Sequence, residues 1–167
     1  MLDRDVPMPL HPAASPDLAA QWAQAASSLG LDVAVEPMLE PQVKSALAAQ
    51  MQALMEAGDY AAALELGWLL AYDDPWNREH ALDFALCLQH LGELASACRF
   101  YSTALLLDAT DAYCLFRMGE CLQGLDQRED ARAVFLAALD LAREDPAYAQ
   151  VGQEAAQRLD AMNEEDT

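Results

Sequence analysis

The chain is 167 residues long, enough for one domain with a sizeable core. Apolar residues make up 54% of it, led by Ala and Leu, which excludes a disordered tail and favours helices over strands. With 28 acidic residues against nine basic ones, the formal net charge of −19 excludes nucleic acid as a partner and disfavours anionic membranes, since both are gripped by Lys and Arg.

Residues 1–14 carry Pro7, Pro9 and Pro12 and are expected to be irregular. Ser15-Pro16-Asp17 then reads as a helix start, with Ser as N-cap and Pro in the first turn. Leu18, Trp22, Ala25 and Leu29 fall on one face of the helix that follows, and Gly30 ends it. That stripe needs cover, either from the first unit of the array that follows or from a second copy of the chain, which makes Leu18, Trp22 and Leu29 candidates for dimerisation. Pro37 and Pro41 mark the linker onward. The expected organisation is a flexible segment with an amphipathic helix over 1–36, a repeat domain with a capping helix over 37–162, and an acidic tail over 163–167.

From Pro41 onward the chain repeats itself. Leu54, Leu88 and Leu122 recur at intervals of 34 residues, as do Ala63, Ala97 and Ala131, and the turn residues Gly58, Gly92 and Asp126. This is the length of one tetratricopeptide helix-turn-helix unit, so the expected fold is all-α, three tandem repeats stacked into a short solenoid. The first unit should hold a helix over 41–57, a turn at Gly58-Asp59-Tyr60 and a second helix ending near Asp73. The second starts near 77 and ends at 107, the third starts near 111 and ends at 144, and a last helix runs over 147–162. Ala149, Gly152, Ala156 and Leu159 would give that helix a small-residue face to cap the stack. The recurring Ala sits early in each second helix, where a larger side chain would wedge the pair apart. Ala85 and Gly119 supply the small partner in the first helix, and Met51 departs from it. Tyr101 and Phe135 read as bulky plugs between units, with Gly67 at the matching place. On these departures the first unit is expected either to be looser or to lean on the N-terminal helix.

Catalytic chemistry is not indicated. There is no Gly-rich phosphate loop, GxSxG or HExxH, and the acidic pairs sit in a turn and a tail. Cys87, Cys98, Cys114 and Cys121 form no CxxC pair and lie on or near apolar stripes, so buried reduced thiols are expected. His80 and His90 lie on different faces of one predicted helix. No catalytic residue, metal ligand or cofactor is expected. Without a run of transmembrane length or a signal-peptide pattern at Met1-Leu2-Asp3-Arg4-Asp5, the expected location is cytoplasmic.

The concave groove of such a solenoid is lined from the first helix of each unit, on the side turned from the recurring Leu and Ala. The positions are Ala48, Gln52 and Met55, then Leu82, Leu86 and Gln89, then Tyr113, Phe116, Glu120 and Gln123. Several of these, Leu82 and Phe116 especially, also fit a reading as core, against which stands their facing away from the recurring Leu and Ala positions. Ala48, Gln52, Asp83 and Tyr113 stand where a carboxylate clamp would need Lys, Arg and Asn, and only Arg117 is basic. An extended segment dropping Leu and Pro side chains into small pockets fits this face better, each buried Leu contributing about 1.5–3 kcal/mol.

In the third unit, Phe116-Arg117-Met118-Gly119-Glu120-Cys121-Leu122 resembles the signature of the class II type III secretion chaperones. The resemblance extends through Gly58-Asp59-Tyr60, Gln89-His90-Leu91-Gly92, Tyr101-Ser102 and Arg158-Leu159-Asp160-Ala161-Met162, covering roughly residues 40–162. It implies an ATP-independent cytoplasmic chaperone of a Gram-negative bacterium that keeps hydrophobic translocator proteins soluble. It also implies an extended Pro-x-Leu-x-Pro-like client segment in the groove, and a segment before the repeats that takes part in homodimerisation. Relatives tend to carry aromatic side chains where this chain has Ala48, Gln52 and Met55. The alternative reading is a tetratricopeptide scaffold or regulatory adaptor with a folded protein partner.

Overall fold

The computed structural model describes residues 39–165, and the helix expected over 16–29, with Leu18, Trp22 and Leu29, lies outside them. Among the described residues every regular element is helical: α1 (Pro41–Glu56), α2 (Tyr60–Asp73), α3 (Arg78–His90), α4 (Leu94–Leu107), α5 (Ala112–Gly124), α6 (Arg128–Glu144), a 3-10 turn (Pro146–Tyr148) and α7 (Ala149–Glu165). Each helix packs on the next, which makes three antiparallel pairs and a final single helix.

The starts and turns recur with the sequence. Asn77 and Asp111 cap α3 and α5 through their side chains, and Asp145 does the same for the 3-10 turn. These three caps are spaced like the Leu and Ala positions, so α7 begins a fourth, incomplete unit. At the turns inside the units, Gly58, Gly92 and Asp126 take φ values of 78°, 82° and 60°. The next amide closes back on the carbonyl of the recurring Leu, as in Asp59 N to Leu54 O, Glu93 N to Leu88 O and Gln127 N to Leu122 O, each 2.9 Å. The recurring Leu therefore has two roles, core filling and helix termination.

Ala63, Ala97 and Ala131 are fully buried at the close crossings. The departures at Met51 and Gly67 do not loosen the first unit. A Cβ added at Gly67 would lie 2.6 Å from Met51 Cε, and one added at Gly119 would lie 2.6 Å from the Phe135 ring. Met51 and Gly119 hold the same repeat position, as do Gly67 and Phe135. The first unit fills the crossing from its first helix and the third fills it from its second. Met51, at 1% exposed, is as deeply buried as Phe135.

The last helix also differs from expectation. Gly152, Ala155, Leu159 and Met162 are buried, whereas Ala149 is exposed and Ala156 only half-buried. The 3-10 turn uses fewer residues per turn than an α-helix, so the helix after it is rotated relative to an uninterrupted one.

The side on which the helices crowd is the inner one. α3 approaches α5 and α5 approaches α7, while α2, α4 and α6 show no comparable mutual approach. Ion pairs fasten the junctions. Lys44 reaches Asp73 at 2.6 Å, and at the equivalent position of the next unit Arg78 binds the buried Asp111 and lies 3.6 Å from Asp108.

Candidate peptide-binding groove

All ten positions expected to line the groove fall on the inner helices α1, α3 and α5. Leu82, Leu86, Met55 and Ala48 are half-buried, with their apolar surface only partly covered by the clusters beneath them. Gln52 is exposed, and Gln89, Tyr113, Glu120 and Gln123 are half-buried. Phe116 is the departure. It is 4% exposed, tilted against Phe135 at 5.6 Å and clustered with Ala155 and Leu159 of α7, so its ring belongs to the core. Of the two readings open in the sequence, Phe116 takes the core one and Leu82 keeps a partly free surface.

The groove is apolar at α3 and polar at α5. Glu120 stands at the centre of a network that ties together three inner helices. Its Oε2 accepts from Gln89 Nε2 of α3 at 3.2 Å and from Arg117 Nη1 at 3.0 Å, and its Oε1 accepts from Arg158 Nη2 of α7 at 2.6 Å. Arg158 Nη1 also donates to Gln123 at 3.3 Å. The hydroxyl of the fully buried Tyr101 donates to Gln89 Oε1 at 2.6 Å, anchoring the network in the core. Arg117 lies over the Tyr113 ring, 5.0 Å from its centroid. Burial alone would lower the pKa of Arg117, but Tyr113 and Glu120 outweigh it and raise it.

Charge changes sign between the second and third units of the groove. Asp83 occupies the repeat position that Arg117 holds one unit later. Burial, with Glu79 nearby, raises the Asp83 carboxyl to about 6, and Arg78 offsets part of the effect. At the other end, a cavity of about 470 Å³ between the starts of α1 and α3 is lined by Leu39, Lys44, Ser45, Ala48, Asn77 and His80 among others. His80 is 9% exposed and its Nδ1 has no hydrogen-bond partner.

Arg158 was not among the sequence candidates. It lies on the last helix, and one period earlier the chain has Gly124, so the 34-residue comparison does not mark it. The one signal in the sequence is its place in the Arg158-Leu159-Asp160-Ala161-Met162 stretch. The thiols offer little chemistry. Burial pushes Cys87 up to about 11 and Cys114 and Cys121 up to about 12, so the reactive thiolate is scarce at neutral pH. No group of three His, Cys, Asp or Glu comes together among the described residues, and none of their helices is long and apolar enough to cross a membrane.

No protein-family model and no curated protein sequence matches the chain. Solved structures do. PcrH in complex with the chaperone binding region of PopD superposes with a TM-score of 0.74 at 25% identity, over 78% of this chain and 98% of that one. PcrH from Pseudomonas aeruginosa gives 0.70 at 26% identity, over 75% and 95%. The Yersinia enterocolitica type III secretion chaperone SycD, in complex with a peptide of the translocator YopD, shares the fold with a TM-score of 0.73 at 18% identity, over 78% and 99%. The chain is thus similar in three dimensions to the chaperones that its third-unit signature resembles.

Proposed function

We propose that this chain, with the fold of the type III secretion translocator chaperones, is an ATP-independent chaperone holding an extended apolar segment of a translocator on its inner face. The observation that carries the proposal is the match along 98% of PcrH, a protein solved with the chaperone binding region of PopD. The geometry supports it, because Leu82 and Leu86 keep free apolar surface on the inner side of α3. Client Leu and Pro side chains would cover that surface, and no enzymatic step is part of this reading. The high negative charge would keep the loaded complex soluble in the cytoplasm of a Gram-negative bacterium.

Co-expression with a hydrophobic translocator tests it. The wild-type chain should carry the translocator into the soluble fraction, and Leu86→Glu should fail to do so with its helical circular dichroism intact, since an unpaired charge in an apolar contact is costly. A translocator equally insoluble with and without the wild-type chain would refute the proposal and leave the scaffold reading.

A further inference from the structure

Only nine residues of the chain are basic, and two of them, Arg117 and Arg158, converge on one carboxylate inside the candidate groove. With Glu120 ionised, the trio carries one net positive charge on a protein whose net charge is −19. Its donors are not exhausted. Arg117 Nε is buried and out of reach of a client, but beyond the bonds to Glu120 and Gln123 and the contact with Tyr113 the two guanidiniums carry further N–H donors on their exposed sides. Arg158 is 44% exposed and Arg117 30%, so an arriving group can reach both.

From this we infer that the α5–α7 end of the groove is a carboxylate subsite, which selects a client segment with an Asp or Glu beside its apolar anchors. The inference rests on the groove reading above and adds what that reading lacks, a charge requirement and a register. A second carboxylate would bring the trio to neutrality by joining the two guanidiniums, without displacing Glu120. A neutral main-chain carbonyl could accept a hydrogen bond there but would leave the positive charge unbalanced. One unit earlier the same repeat position is Asp83, beside Glu79, which repels an acid. An acidic client residue is therefore accepted at one place along the groove, and that fixes how the segment lies.

The test uses the full chain and fluorescein-labelled peptides with a shared Pro-Ala-Leu-Ala-Pro centre. One carries Asp before the centre, one carries Asp after it, and a control carries Asn on both sides. Fluorescence anisotropy should show one of the two Asp peptides binding about five- to tenfold tighter than the Asn control. That advantage should vanish on Arg158→Gln, with the Asp and Asn peptides binding the variant equally and its helical circular dichroism and melting checked against the wild type, since Arg158 also bonds Glu120 and Gln123. Equal binding of all three peptides to the wild-type chain would overturn the subsite and leave the groove standing. So would an Asp advantage that survives both Arg158→Gln and Arg117→Gln. Absence of binding by every peptide would sink the groove reading itself, and the subsite with it.

Discussion

The first and third units solve one packing problem in opposite ways. At the crossing inside the first unit a long flexible Met51 on α1 faces Gly67 on α2, while in the third Gly119 on α5 faces the rigid Phe135 ring on α6. The second unit divides the volume differently again, with Ala85 facing Tyr101. The crossing thus constrains the summed size of the two side chains more than the size of either. The two solutions differ in tolerance, because a methionine can re-orient and a ring clamped among Phe116, Ala138 and Leu159 cannot.

This contrast predicts the largest effects in the molecule. Phe135→Gly should cost at least about 3–5 kcal/mol, the range for emptying a buried aromatic site. Adding Gly119→Met on that background copies the first unit's arrangement into the third and should recover a substantial part of the loss in urea melts. No recovery would mean that the crossings are not interchangeable. The same contrast separates two matched single changes. Gly119→Ala drives a Cβ against three ring atoms and should destabilise by about 1–3 kcal/mol, whereas Gly67→Ala meets the flexible end of Met51, with one Phe84 ring atom at 3.0 Å, and should cost less.

What the sequence could show follows from how a repeat is read. Comparing positions one period apart exposes what all units share, namely the Leu54, Leu88 and Leu122 fillers, the alanine crossings and the turns, and these give the helix order nearly to the residue. Compensation between Met51 and Gly67 lies within one unit and is invisible to that comparison, so the departures read as looseness. The groove was legible as a set of positions, because helical spacing settles which side of α1, α3 and α5 faces inward. It was not legible as chemistry at the α5 end. Whether Phe116 is core and whether Glu120 is paired depend on α7, whose buried face is rotated by the 3-10 turn before it and so departs from the period.

The α3 part of the groove also responds to pH. Asp83 is raised to about 6 by burial and by Glu79, so the folded state holds its proton more tightly than the unfolded chain does. Between about pH 4 and pH 6 this group therefore subtracts stability as pH rises, and above that window the loss is complete. Asp83→Asn should stabilise the fold at pH 7 by on the order of 1 kcal/mol, discounted for partial exposure, and by much less at pH 4.5. Parallel melts of the two proteins across that range check the sign. A difference that shrinks as pH rises would show that ionised Asp83 is stabilised by its surroundings instead.

The smallest effect concerns the turns, where the units again differ at one position. Gly58 and Gly92 adopt positive φ at no steric cost, but Asp126 holds φ 60° with a side chain attached. A non-glycine residue in this region carries a penalty of about 1 kcal/mol, softened for Asp, which tolerates the left-handed conformation better than most. Asp126 is exposed, and its backbone amide bonds to Gln123 O at 3.0 Å as Gly92 N does to Gln89 O, so replacing it should leave the turn unchanged. Asp126→Gly should therefore stabilise the third unit by a few tenths to about 1 kcal/mol, the gain limited by the greater freedom of Gly in the unfolded chain. Gly92→Ala should lose about 1 kcal/mol, and since nothing lies within 4 Å of a Cβ there, conformation alone would account for it. Chemical denaturation of the pair, read against the wild type, decides the matter. If Asp126→Gly destabilises, then the Asp side chain holds the turn through an interaction stronger than the strain it imposes, and the three turns are equivalent in geometry but not in cause.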